Sequence, residues 1–336
     1  MTSKWPTAKA ILETMLEFDL PIGYLRVGLK AIQPIRLPAF AGSKLEGAFG
    51  RTLYQIACTR RDLQTCAPCP LRSVCPYAAL YAPALPPHLE VDSLENPPRP
   101  LVFETHMGQE REIAPGEAFE FGLRIVGKAV QHLPYLVAAI QQMGENGIGL
   151  TRGRFELTEV RSVQPYTGET RLLASADSPV VRLEVIPLNA ADLPSLPQGP
   201  LTLHLETLTH LKSGGKMVET LQFPVLVRAL QRRVSNLEQI YGGGKSLGAN
   251  FSELPLLARG VELVEQQTRH AVQARSGKGK HPVIMNGLVG RVTYSGDLRP
   301  FSTLLRFGEL VGMGKWAHFG AGKYRIASAT QVDDVQ

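Results

Sequence analysis

The chain has 336 residues, a formal net charge of +6 with histidines neutral, and 44% hydrophobic and 20% charged residues. This composition is typical of a soluble globular protein, and the length alone predicts two domains. No apolar run reaches the ~18–20 residues that a membrane-spanning helix needs, so we expect no membrane partner. The N-terminus has acidic residues within its apolar pattern and no small-residue cleavage site. We therefore expect a cytoplasmic protein without a signal peptide.

Most of the positive charge lies near the C-terminus. Residues 269–325 contain ten Lys and Arg residues against Asp297 and Glu309, a local surplus of eight that exceeds the surplus of the whole chain. Such a segment is typical of a protein that binds a polyanion. A solvated basic face without a ligand would have the same charge. The glycines and aromatic residues interleaved with these cations favour a nucleic acid.

The first half of the chain predicts alternating strands and helices. A short helix over 7–18 comes first, and Ser43 with Glu46 has the spacing of a capping box at the start of a second helix. The remaining predicted elements, from apolar periodicity, are strands over 24–32, 119–126 and 155–163 and helices over 43–56 and 133–143. The order β-α-insertion-β-α-β predicts a ferredoxin-like domain over 1–165.

The second half repeats this order after a predicted linker over 166–198, which contains a strand candidate at 180–186. The predicted elements are a strand over 201–208, helices over 223–241 and 254–266, a strand over 288–294, a helix over 298–310 and a glycine-hinged strand over 316–326. We therefore predict an α+β protein with two tandem ferredoxin-like (RRM-like) domains, the second over 199–336.

All four cysteines of the chain fall within eighteen residues of the first domain, at Cys58, Cys66, Cys69 and Cys75. A cytoplasmic protein has little use for disulfides, and four thiols so close together can converge on one tetrahedral metal ion. Zinc is favoured over an iron–sulfur cluster, although thiolates alone do not separate the two. A closed four-sulfur site would be structural. Incidental or buried cysteines are the alternative.

A glycine-rich loop covers 312–324 near the C-terminus. Its sequence GMGKWAHFGAGKY combines four glycines with two lysines, one histidine and three aromatic side chains. Glycine allows close backbone approach to a ligand, lysine binds phosphate and aromatic rings stack on bases. We predict that this loop holds an RNA backbone. A nucleotide-hydrolysing loop is not indicated, because Gln239 replaces the glycine that a Walker A motif would need before Gly244-Lys245-Ser246.

Several separated motifs together resemble one family. They are LPAFAGSKLEGAFG over 37–50, CPY over 75–77, the turn over 143–155, LTHLK over 208–212, GLVG over 287–290 and FGAGKY over 319–324. In this order they resemble the precursor-crRNA-processing endoribonucleases of the RAMP superfamily of CRISPR proteins. The resemblance covers most of the chain.

The resemblance implies two ferredoxin-like domains, an RNA-contacting glycine-rich loop and cleavage of CRISPR repeat RNA without a catalytic metal. The ribose 2′-hydroxyl would attack the adjacent phosphate and leave a 2′,3′-cyclic phosphate. It also implies that the enzyme retains the crRNA and passes it to the other subunits of a CRISPR effector complex. The chain departs from the family in having no histidine over 39–50 and in having Gly312 where many relatives have a histidine.

This chemistry needs a base, an acid and cations. The predicted catalytic residues are His318, His210 and Lys315. The predicted RNA-binding residues are Gly312, Gly314, Lys315, Gly320, Gly322, Lys323, Lys212, Lys216, Arg275, Lys278, Lys280 and Arg232. The other histidines are predicted to be structural or on the surface (His88, His106, His132), packed in a strand (His204), or near a basic loop (His270, His281).

Two other functions fit the same sequence. A non-catalytic crRNA-binding subunit of an effector complex would use the same fold and the same positive face. A zinc-dependent nucleic-acid-binding regulator would depend on the four cysteines alone.

Overall fold

The computed structural model describes residues 19–85, 97–104, 107–243, 248–275 and 283–327. The predicted helix over 7–18 lies outside these residues, as do His88, His106, His281, Lys278 and Lys280.

In the first half, the described elements are β1 (Ile22–Ala31), β2 (Ile35–Leu37), α1 (Gly42–Ala57), α2 (Pro76–Leu80), β3 (Leu101–Glu104), β4 (Arg111–Ile113), β5 (Ala118–Val126), α3 (Leu133–Asn146), β6 (Phe155–Val163), β7 (Thr170–Ser175) and β8 (Pro187–Leu188). The main sheet has the order β3-β5-β1-β6-β7 with antiparallel neighbours. Without β7, this is the strand order of a ferredoxin-like β-α-β-β-α-β unit.

Three details of the first half differ from the sequence predictions. Strand β7 lies inside the predicted linker and extends the main sheet by pairing with β6. Residues 181–186 form no strand, and Val180 and Leu183 in this region are exposed rather than packed. Helix α1 starts after Ala41 without a side-chain cap, so the predicted capping box does not form and Glu46 is buried instead.

In the second half, the described elements are β9 (Leu201–Thr209), β10 (Lys212–Ser213), β11 (Lys216–Met217), α4 (Phe223–Tyr241), α5 (Gly248–Leu257), β12 (Glu262–Arg275), β13 (Val283–Ser295), α6 (Ser302–Val311) and β14 (Tyr324–Ile326). The sheet order β12-β13-β9-β14, again antiparallel, repeats the order of the first sheet. The chain therefore has a mixed α/β architecture in which two antiparallel sheets share one topology.

Two predictions in the second half were wrong. The helix predicted over 254–266 ends at Leu257, and β12 begins at Glu262 and pairs with β13 along its length. The strand predicted over 316–326 is a 3-10 turn at Ala317–Phe319 followed by the short β14. Trp316 and Gly320 both have positive φ, 67° and 90°, so an extended strand cannot run through this segment.

The sheets and their helices enclose two cores, and a third apolar cluster connects the halves. In the second core, the side chains of α4 and α6 pack on β9 and β13, with Phe223 against Tyr294 and Phe301. The third cluster combines Phe40 of the first half with Leu208, Met285 and Phe319 among others. Full burial of one such side chain contributes about 1.5–3 kcal/mol. The glycine-rich loop is therefore packed between the two halves.

Candidate nucleic-acid interface

A short hairpin projects after β9. Strands β10 and β11 pair antiparallel through Lys212 with Met217 and Ser213 with Lys216. The two residues between the strands, Gly214 and Gly215, have φ values of 58° and 80°. A two-residue turn with positive φ at both positions needs glycine or asparagine, which explains the Gly-Gly pair. The turn exposes Lys212 and Lys216.

A groove of about 640 Å³ lies between this hairpin, helix α4 and the glycine-rich loop. Four cations line it from three separate segments: Lys212, Arg228, Arg232 and Lys315. All four are exposed, and none of the described residues that line the groove is acidic. Arg228 and Arg232 are four residues apart in α4 and so lie on one helix face. This site, called the basic groove below, attracts anions.

His210 forms part of the groove wall at the end of β9 and is 8% exposed. Its Nδ1 lies 2.9 Å from the carbonyl oxygen of Asn286 and 3.0 Å from the side-chain Oδ1. Because a carbonyl oxygen only accepts, Nδ1 carries the proton and Nε2 is left as an acceptor. Nε2 is buried and has no hydrogen-bond partner among the described residues. The imidazole therefore has the tautomer of a general base.

The glycine-rich loop holds this histidine from the other side. The ring of Trp316 lies 5.1 Å from the His210 ring, centroid to centroid. The backbone N–H of Lys315 donates to the carbonyl oxygen of His210 at 3.1 Å. A side chain at Gly314 would collide with that same carbonyl, so glycine is required for this close approach. The Nζ of Lys315 lies over the Trp316 ring, 4.6 Å from its centroid. The predicted catalytic residues His210 and Lys315 are thus neighbours.

The glycines of the loop form hydrogen bonds within the protein, whereas the sequence predicted that they contact RNA. Three of their backbone N–H groups donate to carbonyl oxygens within the chain, Gly312 to Gly308, Gly320 to Ala317 and Gly322 to Leu208, at 2.8, 3.0 and 2.9 Å. In this conformation these groups are not available to an RNA phosphate.

Lys323 was predicted as a phosphate ligand, but it lies in an ion-pair network between the halves. Its Nζ is 2.9 Å from both Glu104 Oε1 and Glu206 Oε2, and its side chain is 16% exposed. Glu104 also pairs with Arg124 at 3.4 Å. Burial opposes ionisation of Glu104, but Arg124 and Lys323 outweigh it and hold the pKa of this carboxyl well below its usual range. This position favours a structural role for Lys323.

His318 faces helix α1 of the first half and is not among the residues that line the basic groove. Its Nε2 lies 3.8 Å from Oε1 of the buried Glu46, which also pairs with Arg99. The guanidinium of Arg99 lies 3.7 Å from the centre of the Tyr81 ring. The structure therefore separates His318 from His210 and Lys315, with which the sequence grouped it.

The remaining predicted cations lie elsewhere. Lys216 is exposed on β11 but does not line the groove, and Arg275 is the last residue of β12. Conversely, Arg228 and Asn286 were not selected from the sequence. The four-residue spacing between Arg228 and the selected Arg232 could have identified Arg228. Asn286 has no local signal, because its contact with His210 joins strands β9 and β13.

The four cysteines line one cavity of about 380 Å³, together with Tyr54 and Tyr77. Burial raises the pKa of the Cys66 thiol, and the other three thiols raise it further. In the described part of the chain, no group of three or more His, Cys, Asp or Glu side chains is arranged to hold a metal ion. The sulfurs surround a common space without converging on one point.

Within the described residues, no helix combines the length and apolar character that crossing a membrane would require.

Two family models match the chain. Residues 203–324 match the model described as CRISPR-associated endoribonuclease Cas6, and residues 20–185 match a model described as an N-terminal domain (AF_1859_N). An uncharacterized protein of Archaeoglobus fulgidus is 25% identical over 320 residues, which cover 93% of this chain and 100% of that protein. The segment that matches Cas6 contains all four cations of the basic groove and His210.

The fold is similar to that of solved Cas6 structures. A Thermus thermophilus Cas6 aligns with a TM-score of 0.51 and 12% identity over 92% of this chain and 99% of its own. A Cas6 product complex aligns with a TM-score of 0.52 and 14% identity over 91% and 100%. A partial Cas6-RT-Cas1--Cas2 complex aligns with a TM-score of 0.58 and 12% identity over 96% of this chain and 49% of that one. At these identities the similarity establishes the fold.

Proposed function

We propose that the chain is a member of the CRISPR-associated RAMP-type family of repeat-processing proteins, and that it is an endoribonuclease that cuts CRISPR repeat RNA at the basic groove. The match of residues 203–324 to the Cas6 endoribonuclease model supports this proposal. The observation that carries this proposal is the position of His210. Its unpartnered Nε2 lies in the wall of a groove lined by four cations and no acid. This combination supplies a proton acceptor where phosphates would bind.

In the proposed reaction, His210 Nε2 accepts the proton of a ribose 2′-hydroxyl. The resulting oxygen attacks the adjacent phosphorus, and the bond to the 5′-oxygen of the next nucleotide breaks. The products are a 2′,3′-cyclic phosphate and, after protonation of the leaving oxygen, a 5′-hydroxyl. Lys315 is the proposed donor of that proton, and Arg228 and Arg232 stabilise the negative charge of the transition state. No step needs a metal ion.

The buried position of Nε2 requires a small rearrangement before chemistry. Trp316 lies directly against the His210 ring. We propose that an RNA base entering the groove displaces the Trp316 side chain and stacks in its place, which opens Nε2 to the substrate. Base–aromatic stacking contributes about 1–3 kcal/mol per base, enough to drive a side-chain rearrangement.

The same cations explain the proposed fate of the product. Cleavage leaves the phosphates of the upstream strand in the groove, where Lys212, Arg228 and Arg232 continue to bind them. We propose that the mature crRNA stays bound and passes to other CRISPR proteins with this chain attached.

The experiment uses the full chain, repeat RNA from the same genome and excess EDTA. We expect cleavage by the wild type at one position, and none when the nucleotide 5′ of the cut carries a 2′-deoxyribose. Mass spectrometry of the 3′ end would identify the cyclic phosphate. Cleavage that requires Mg²⁺, or that survives the deoxy substitution, would contradict the mechanism.

A second function is favoured by the shielding of Nε2 from solvent. If RNA does not displace Trp316, the groove only binds, and the chain is a crRNA-binding subunit without catalytic activity. Tight binding of repeat RNA without cleavage of any repeat from the genome would support this alternative over the first.

A further inference from the structure

The insertion over 58–75 has almost no core of its own. Across these residues, all of which the structure describes, none is buried. Two of its larger apolar side chains are exposed, Leu71 to 44% and Val74 to 72%. The four cysteines are among its half-buried residues. A segment that buries so little apolar surface needs another stabilising device, for which small folds use disulfides or metal ions.

The two outer cysteines are fixed by helices. Cys58 follows α1, and its backbone N–H donates to the carbonyl oxygen of Tyr54 at 3.0 Å. Cys75 precedes α2, and its carbonyl oxygen accepts from the N–H of Ala79 at 2.9 Å. Since α1 packs against α2, these two thiols are held near each other by the fold of the first domain.

The two inner cysteines form one tight turn between these anchors. The backbone N–H of Cys69 donates to the carbonyl oxygen of Cys66 at 3.2 Å, which closes the C-x-x-C segment. The turn brings both thiols to the wall of the 380 Å³ cavity that Cys58 and Cys75 also line. Two anchored thiols and one C-x-x-C turn around a common space are the arrangement from which a four-sulfur site is assembled.

We propose that this insertion binds one structural zinc ion through Cys58, Cys66, Cys69 and Cys75. Each thiol gives up its proton to solvent and each sulfur forms one bond to the ion. The sulfurs move inward from the cavity wall to do so. With four protein ligands the tetrahedral site is closed, so the ion stabilises the insertion and takes no part in RNA cleavage.

The test is the metal content of the full chain purified without added metal. We expect one zinc per chain by mass spectrometry of the elements, and loss of zinc in Cys66→Ser and Cys69→Ser. Ser73→Ala, in the same segment, is the matched control and keeps the ion. If the serine variants fail to fold, cobalt(II) added to metal-free wild type gives an independent measurement. We expect saturation at one equivalent, with the absorption bands of tetrahedral cobalt thiolate.

Several results would overturn the proposal. The first is a wild-type protein that takes up neither zinc nor cobalt, and the second is a thiol count in denaturant that shows the cysteines paired in two disulfides. The third is a wild-type protein that contains iron and inorganic sulfide in place of zinc. The fourth is a Cys66→Ser variant that keeps its full zinc content. Because the readout is metal content, the outcome is independent of whether the chain cleaves RNA.

Discussion

The Nδ1 atom of His210 lies 2.9 Å from the carbonyl oxygen of Asn286. This bond joins the end of β9 to β13 and leaves Nε2 as a buried acceptor without a partner among the described residues. A histidine held in this tautomer by a fixed carbonyl is prepared to accept a proton. The first prediction follows from this contact.

Substitution His210→Ala is expected to slow single-turnover cleavage of repeat RNA by about 10²–10⁴-fold, the range for loss of a general base. The affinity for RNA changes little, because the cations remain. His270→Ala, an exposed histidine on β12, is the matched control. Cleavage and binding are measured on the same preparations. If His318→Ala slows cleavage as much as His210→Ala does, and both variants are folded, the assignment of the general base to His210 is wrong.

Removal of groove cations is expected to change the salt dependence of RNA binding. Each of Arg228→Ala and Arg232→Ala removes one phosphate contact, which lowers the slope of log K against log salt by about 0.7 for a single strand. Fluorescence anisotropy over a series of salt concentrations measures this slope. Arg259→Ala, an exposed arginine that does not line the groove, should leave it unchanged. If all three variants have the same slope as the wild type, RNA does not bind in the groove.

Substitution Gly322→Ala is expected to destabilise the protein. Gly322 has a φ of 67°, and a Cβ there would collide with the carbonyl oxygen of Met313. Positive φ alone costs a residue with a side chain about 1–3 kcal/mol. Gly260→Ala is the control, because nothing lies within 4 Å of its added Cβ. Thermal unfolding should show a lowered Tm for Gly322→Ala alone, and the same Tm for both variants would contradict the packing described for the loop.

The pairing of Glu104 with Lys323 predicts a pH-dependent stability. Because the folded-state pKa of Glu104 is lowered, its contribution is fully present above the ordinary glutamate pKa of 4.5 and is lost as the pH falls towards the folded value. Glu104→Gln leaves the buried Arg124 without its carboxylate partner and leaves Lys323 with Glu206 alone. We expect a cost of about 3–5 kcal/mol near neutral pH.

The measurement is Tm as a function of pH for wild type and Glu104→Gln. The difference between them should shrink below pH 4.5. Glu120→Gln removes an exposed partner of Arg26 and is the control. For such a surface pair the expected effect is only about 0–1 kcal/mol. A difference for Glu104→Gln that stays constant from neutral to acidic pH would mean that the network does not stabilise the fold.

The sequence predicted those parts of the fold that have a local signal. Helix α4 was predicted at its observed limits, 223–241, because its apolar residues recur at helical spacing and a proline occupies its first turn. Strand β12 was not predicted, because its sequence has no such local signal. Its described side chains are mostly exposed and only Ala271 is buried, so its pairing with β13 leaves no apolar alternation to recognise.

The difference between local signals and long-range contacts also explains which residues of the candidate site could be predicted. Lys212, Arg232 and Lys315 were selected from separate segments, since glycines or neighbouring cations mark each one locally. The role of Lys323 could not be predicted, because its partners Glu104 and Glu206 are far away in the chain. Its surroundings in the sequence, Ala-Gly-Lys-Tyr, are the same whether the ammonium meets a phosphate or a carboxylate.

The anchoring of the glycine-rich loop bears on the thermodynamics of recognition. Phe319 packs 6.3 Å from Phe40 of the first half, centroid to centroid, and Lys323 is ion-paired across the same boundary. The backbone that presents Lys315 is therefore ordered during folding, and its conformational entropy is not lost again when RNA binds. A substitution that loosens Phe319, which does not line the basic groove, would consequently weaken the proposed RNA affinity while every cation remained in the chain.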